Sequence, residues 1–248
     1  MKIILWIIVV VIAVMVLPFL LLFLFLFICG LFVDTKKQYD RDSRFYRALL
    51  DGSTTFILWC LGVRYNIIGE EKFPPSGNFL FISNHRSNYD PIIQWTVFKR
   101  YKLSFISKKE NFRIPMYGRI IHRCCFMPID RKSPRKAMET VNRAARLLTE
   151  TENSVGVYPE GKRSKECKLL PFHSGVLKTA QKAGKPIVVS TIEGTENIFR
   201  NIKRLRKTVV TIRILETIDA DRVRSLKTSE LSEYCAGLMK NELEEHRS

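Results

Sequence analysis

From Ile3 to Val33 the chain carries no charged side chain for 31 residues, and this run limits the fold more than any other feature. As a helix it would be about 46 Å long, against a hydrocarbon core of about 30 Å. It is too long for a signal-peptide core, shows no Ala-x-Ala cleavage pattern and has only Lys2 as a charged leader. It is too short for two full spans. A helix apolar on every side, rich in Leu, Phe, Ile and Val, fits lipid better than a protein core. Pro18 removes one intrahelical hydrogen bond, which leaves two geometries: one tilted span, or a bent and partly re-entrant pair. Lys36, Lys37, Arg41, Arg44 and Arg47 follow the run and only Lys2 precedes it. Basic residues collect on the cytoplasmic flank of a span, so the sequence predicts a membrane protein whose remaining chain lies on the cytoplasmic side.

Three parts are expected: a membrane segment over residues 1–33, an interfacial helical linker over 34–61, and one domain over 62–248. The linker mixes its bases with Tyr39, Phe45 and Tyr46, a composition suited to headgroup depth. Beyond it, Val63, Tyr65 and Ile67 alternate as a first strand, and Pro74-Pro75-Ser76-Gly77 turns the chain into an apolar strand at Phe79–Ile82. Further strands are expected at Leu103–Ser107, Cys125–Ile129, Ser154–Tyr158, Pro186–Ile192 and Val209–Ile214. Helical stripes lie between or after them: Met138, Val141, Ala145, Leu148; a helix over His173–Ala183 stopped by Gly184; and Leu231, Cys235, Leu238. This alternation predicts an α/β domain, a mixed sheet flanked by helices, behind an N-terminal membrane-embedded helical segment.

The formal charge is +17, and every acidic residue lies after the apolar run. Such an excess calls for an anionic partner: headgroups, a phosphorylated substrate or nucleic acid. No helix-turn-helix or aromatic RNA-binding signature accompanies it, so no nucleic acid partner is expected. The six cysteines show neither C-x-x-C pairing nor metal-ligand spacing, so neither a disulfide framework nor a metal site is expected.

The chemistry concentrates at Asn84-His85-Arg86-Ser87-Asn88-Tyr89-Asp90-Pro91, between the Phe79 strand and a helix through Ile92, Ile93, Trp95 and Val97. A histidine held by a carboxylate is a general base for neutral pH, because the carboxylate fixes the tautomer and stabilises the imidazolium. On one continuous helix, residues five apart would point about 140° apart. His85 and Asp90 can meet only if a turn at Ser87-Asn88 intervenes. The plainer role for Asp90-Pro91 is a helix opening, with Asp as N-cap and Pro at the first helical position. Three other charged segments interrupt the apolar pattern: Lys108–Gly118 with its continuation Ile129-Asp130-Arg131, Tyr158–Ser164, and Pro171–Gly175. They put Lys and Arg at strand ends, where an α/β sheet presents its ligand crevice.

The order of these segments, over roughly residues 60–220, resembles the PlsC-type lysophosphatidic acid (1-acylglycerol-3-phosphate) acyltransferases among the glycerolipid acyltransferases. His85-x4-Asp90 resembles their first motif, Lys108–Gly118 with Ile129-Asp130-Arg131 their second, and Glu160-Gly161-Lys162-Arg163-Ser164 their third, usually E-G-T-R-S. The fourth, an apolar strand ending in proline, is matched by Pro186-Ile187-Val188-Val189-Ser190 without that second proline. Lys162 stands where threonine is usual, and Asn111 where leucine is commoner.

The resemblance implies transfer of a fatty acyl group from acyl-carrier protein or coenzyme A thioester to the hydroxyl of lysophosphatidic acid, beside membrane lipids, giving phosphatidic acid. It implies His85 as general base, Asp90 as the residue orienting it, and no cofactor beyond the acyl thioester co-substrate. Arg163 and Lys108 are expected on the acceptor phosphate, with Glu160 and Gly161 shaping that site and Arg131 as a further contact. Glycerol-3-phosphate or another lyso-lipid is the alternative acceptor. A thioesterase would need Cys124 or Cys125 as nucleophile, since no G-x-S-x-G elbow is present. From another class, a membrane-tethered protein that binds anionic lipid or nucleic acid through its charge is the remaining alternative.

Overall fold

The computed structural model describes residues 2–245. Helix α1 (Lys2–Leu31) runs without interruption through Pro18. It is long and apolar enough to cross a membrane. Its last turns are different. Leu26 and Cys29, and Val33 just beyond the helix, are buried, and the Gly30 carbonyl accepts from Arg119. Helix α2 (Arg44–Cys60) lies antiparallel beside it. Tyr46 donates to the Cys29 carbonyl near one end of the pair, and Phe56 meets the Phe19 ring near the other.

The segment expected at headgroup depth is therefore packed more deeply than its charges suggest. Arg47, Leu50, Thr54 and Leu58 form the inward stripe of α2. The Arg47 guanidinium bonds Asp42, Ser104 and the carbonyls of Leu103 and Cys124, so burial is matched by partners at every side. Phe45 and Trp59 remain on the outer face.

A seven-stranded sheet follows, in the order β1-β7-β6-β2-β5-β3-β4. The strands are β1 (Val63–Ile68), β2 (Leu80–Ser83), β3 (Ser104–Lys108), β4 (Met127–Ile129), β5 (Val155–Val157), β6 (Ile187–Glu193) and β7 (Thr208–Ile218). Strands β6, β2, β5, β3 and β4 are mutually parallel. Strand β7 runs antiparallel to β6, and β1 runs parallel to β7. Every residue of β2 and β5 is buried, as a sheet covered on both faces requires. Alternate side chains feed two cores: Phe79 and Phe81 one, Leu80 and Ile82 the other.

The first core is closed by α2, by α3 (Tyr89–Val97) and by α4 (Tyr117–Arg123). The second is closed by α5 (Pro134–Glu150), α6 (Lys178–Ala183), α8 (Ala220–Ser225) and α9 (Thr228–Glu245). Helix α7 (Ile198–Lys203) links β6 to β7. Gly156 in β5 leaves room for the Phe105 ring, which a Cβ would meet at 2.5 Å.

Several boundaries differ from the pattern, most of all that of β7, which runs on to Ile218 where Ile214 was expected to end it. The strand expected from Cys125 begins at Met127, because Cys125 takes a left-handed turn at φ 59°. The helix expected from His173 opens as a 3-10 turn over Ser174–Leu177 before α6, which ends at Gly184 (φ 62°) as anticipated.

Candidate active site

The parallel strands bring their C-terminal ends to one edge, and the loops leaving that edge hold His85 after β2, Lys108 at the end of β3, Arg131 after β4, and Glu160, Gly161 and Arg163 after β5. Asn84 begins the β2 loop. Its buried side-chain amide donates to the Ile192 carbonyl at 3.0 Å and accepts from the Ile192 amide at 2.7 Å. The side chain thus continues the β2–β6 ladder for one more step and fixes where the loop departs.

His85 Nδ1 lies 2.7 Å from Asp90 Oδ2. The turn that the spacing demanded is present, and Asp90 itself stabilises it. The same oxygen accepts from the backbone amides of Arg86 at 2.6 Å and Ser87 at 2.7 Å. Asp90 is not the N-cap: α3 opens one residue earlier, at Tyr89, and the carboxylate folds back over the loop. Thr195, on the loop after β6, donates to the other oxygen, Oδ1. Four donors converge on a carboxylate with no exposed surface, matching an ionised, acceptor-only group. Nδ1 then carries the hydrogen, and Nε2 is left with its lone pair.

The His85 ring stacks on Tyr158, with centroids 4.2 Å apart and planes at 12°. Tyr158 donates to Gln94 Oε1 at 2.7 Å, and Gln94 donates to Ser83. Burial first, then the Asp90 charge, pushes the Tyr158 phenol well above its ordinary value, so it stays a neutral donor.

The third motif grips the His85 backbone from both sides. Glu160 Oε1 accepts from the His85 amide at 2.6 Å, and the Ser164 amide donates to the His85 carbonyl at 2.8 Å. Glu160 Oε2 accepts from Leu170 N–H, so both carboxyl oxygens of this buried residue serve the backbone. Burial raises the Glu160 carboxyl to about 7, against the pull of these two amides. Gly161 sits at φ 69°, and a Cβ there would come within 2.7 Å of His173 Cδ2. Both the backbone and the neighbour require glycine.

Lys108 and Arg163 are exposed, and no hydrogen bond or ion pair engages the side chain of either among the described residues. Arg131 stands at the rim of a cavity of about 290 Å³. Ile106, Met138, Val141, Val157 and Val176 give this cavity apolar walls, and Tyr158, Gly161 and His173 line its other side. Tyr158 thus belongs both to the cavity lining and to the stack on His85.

Cys124 and Cys125 have no exposed surface. Burial pushes the Cys125 thiol up to about 12 and the Cys124 thiol well above its usual range. That is the opposite of a nucleophilic thiolate and removes the basis of the thioesterase alternative.

Asn84, Tyr158, Ser164 and Thr195 are the site residues that sequence reasoning did not single out. The first three lie inside the quoted motifs, so their placement was available. Thr195 stands 105 residues from Asp90, and only the fold joins them.

The chain has clear relatives. The 1-acyl-sn-glycerol-3-phosphate acyltransferase of Haemophilus influenzae is 30% identical over 189 residues, covering 76% of this chain and 77% of the relative. That of Escherichia coli is 29% identical over 169 residues, 68% of each chain. Among solved structures, the 1-acyl-sn-glycerophosphate (LPA) acyltransferase PlsC from Thermotoga maritima matches with a TM-score of 0.66, over 90% of this chain and 88% of that one, at 22% identity. It shares the fold. The family described as Acyltransferase matches residues 64–193, from β1 to the end of β6, and so takes in both the His85–Asp90 pair and the loop that clamps it. On that match the chain belongs to the acyltransferase family.

Proposed function

We propose that this protein transfers a fatty acyl group from an acyl thioester to the hydroxyl of lysophosphatidic acid, giving phosphatidic acid at a membrane surface. The observation that carries the reading is the His85–Asp90 pair, with Nδ1 committed to a buried carboxylate and Nε2 left to accept a proton. The names of the relatives support the acceptor.

His85 Nε2 takes the proton of the acceptor hydroxyl as its oxygen attacks the thioester carbonyl carbon. Asp90 stabilises the imidazolium that results. The tetrahedral intermediate collapses with loss of the C–S bond, and the departing thiolate takes the proton back from Nε2. The ester forms, the thiol leaves, and the enzyme is restored without a covalent intermediate. Arg163 and Lys108 bind the acceptor phosphate, Arg163 through its fork and Lys108 as a point charge; Arg131 assists. Glu160 and Gly161 serve the same site through the loop they shape. The apolar cavity beside Tyr158 takes part of an acyl chain. The donor is acyl-carrier protein or coenzyme A thioester.

Helix α1 inserts in the bilayer, and the basic residues that follow it put the catalytic domain on the cytoplasmic side. Burial of each methylene is worth about 0.8 kcal/mol, so an interfacial site spares the enzyme from drawing a whole acyl chain into water.

The test is phosphatidic acid formation by full-length protein with lysophosphatidic acid and either donor. Wild type makes product, and His85→Ala is expected to lose about 10²–10⁴ of the rate at unchanged melting temperature. Full activity in His85→Ala would refute the base. No product from wild type with either donor would refute the acceptor and lead to glycerol-3-phosphate and other lyso-lipids.

A further inference from the structure

The turn between α7 and β7 carries side chains that the fold does not use. Ile198 is fully buried and Ile202 packs against the same core, so the inner face of this segment is filled. Phe199 and Leu205 point the other way, 62% and 97% exposed. Leu205 sits at φ 51°, a conformation that leucine rarely adopts, at the tip of the turn. The backbone there is not loose. The amides of Arg204 and Arg206 both donate to the Asn201 carbonyl, and that of Leu205 to the Ile202 carbonyl. A braced turn therefore holds a leucine out in solvent.

Its surroundings are uniformly basic. Lys203, Arg204, Arg206 and Lys207 flank Leu205, all exposed, and no acidic residue occurs from Ile198 to Leu215. No ion pair neutralises these four bases among the described residues. Lys203 Nζ lies over the Phe199 ring, 4.5 Å from its centre, so a charge and an apolar ring stand side by side on this surface.

The position of the turn selects its partner. Thr208 N–H donates to the Gly62 carbonyl, and Gly62 N–H to the Trp59 carbonyl, so the turn adjoins the end of α2. Trp59 is 74% exposed there, and beside it Phe56 touches α1. Because β7 is antiparallel to β6, the start of β7 lies at the same sheet edge as the C-terminal ends of β2, β5 and β6. The basic turn, the aromatic end of α2 and the catalytic loops therefore share one edge.

We propose that the α7–β7 turn is a second membrane contact: Leu205 and Phe199 insert at the headgroup boundary, the four bases pair with anionic lipid, and the catalytic edge is seated on the bilayer. The proposal rests on the reading that α1 inserts in a membrane. Continuity with α1 and α2 favours a lipid surface over the other partner of matching charge, an acidic carrier protein.

The test uses full-length protein in nanodiscs of phosphatidylcholine, alone or doped with phosphatidylglycerol. Amide hydrogen exchange over residues 199–209 is expected to slow in the anionic discs. Leu205→Asp and the pair Lys203→Glu/Arg206→Glu are each expected to lower the rate on disc-resident long-chain lysophosphatidic acid with acyl-CoA by about tenfold, at unchanged melting temperature. Their rate on a short-chain, water-soluble lysophosphatidic acid should stay at the wild-type value. Equal exchange in both discs overturns the contact, as do unchanged rates. Loss of rate only with acyl-carrier protein as donor overturns it in favour of carrier docking. If wild type transfers no acyl group at all, the proposed reaction fails, while hydrogen exchange still decides the membrane contact.

Discussion

Asp90→Asn isolates the charge of the carboxylate from the hydrogen bonds that shape the loop. Asp90→Ala cannot do so, because it strands the amides of Arg86 and Ser87 and the Thr195 hydroxyl in a buried site, at about 1–3 kcal/mol each. In the asparagine variant the amide oxygen takes the place of Oδ2, where three N–H donors converge. The amide nitrogen then faces Thr195, whose hydroxyl rotates to accept instead of donate. Geometry and tautomer survive, and what is lost is the negative charge beside the imidazolium. A charge-assisted hydrogen bond is worth about 1.5–3 kcal/mol, so the loss should fall on the step that makes the imidazolium. That range converts to a decrease of roughly 10–150-fold in kcat.

The assay is steady-state acyl transfer by detergent-purified or nanodisc-held protein, with thermal unfolding measured on the same samples. We expect kcat to fall by that factor, KM for lysophosphatidic acid to stay within about twofold, and the melting temperature to move little. Wild-type kcat in a folded Asp90→Asn protein would refute the role of the carboxylate. A rise in KM with no change in kcat would place Asp90 in acceptor binding instead.

Two further outcomes follow from the same loops. The Glu160 carboxyl is held at about 7 in the folded protein. Folding therefore retains a proton that the unfolded chain releases near its ordinary value of about 4.5, and the stability this contributes is complete below about 4.5 and lost as pH rises through about 7. The melting temperature of wild type should fall more steeply across that window than that of Glu160→Gln; parallel slopes would refute the assignment. Arg163→Ala removes an exposed guanidinium that has no partner among the described residues, so it should leave the melting temperature unchanged and raise KM for lysophosphatidic acid by about tenfold or more. An unchanged KM would take Arg163 out of the phosphate site.

What sequence reasoning could reach depended on whether the determinant was local. The five-residue spacing of His85 and Asp90 required a turn, and the turn is there, because two backbone amides and one carboxylate oxygen make it within six residues. The apolar strands were legible because a doubly covered sheet leaves them no polar positions. The short helices α4, α7 and α8 were not anticipated, since six or seven residues give too few turns for a periodicity to register. Arg47 looked like one of several surface bases, yet its guanidinium is buried against Asp42 and the start of β3. Nothing in its neighbours distinguishes it. Glu160 was expected to shape the acceptor site; the contacts its carboxylate makes are with the main chain of His85 and Leu170. A side chain that acts on distant main chain leaves no mark in the sequence around it.

The antiparallel β6–β7 pair decides where the proposed anchor lies relative to the chemistry. Were β7 parallel to β6, β1 would begin at the opposite edge of the sheet, and α2 would end far from His85. The observed reversal starts β7 and β1 at the edge where β2, β5 and β6 finish. Helix α2 therefore ends at the catalytic edge. Its antiparallel pairing with α1 then carries the first half of α1 past that edge, since Cys29 lies beside Tyr46 and Phe19 beside Phe56. The uncovered apolar surface of the first half of α1 therefore lies toward the end of the sheet that carries the His85 loop. Under the proposed mechanism, a lyso-lipid entering from a bilayer on that side would meet His85 with its hydroxyl while its chain is still in hydrocarbon, avoiding a cost of about 0.8 kcal/mol per methylene.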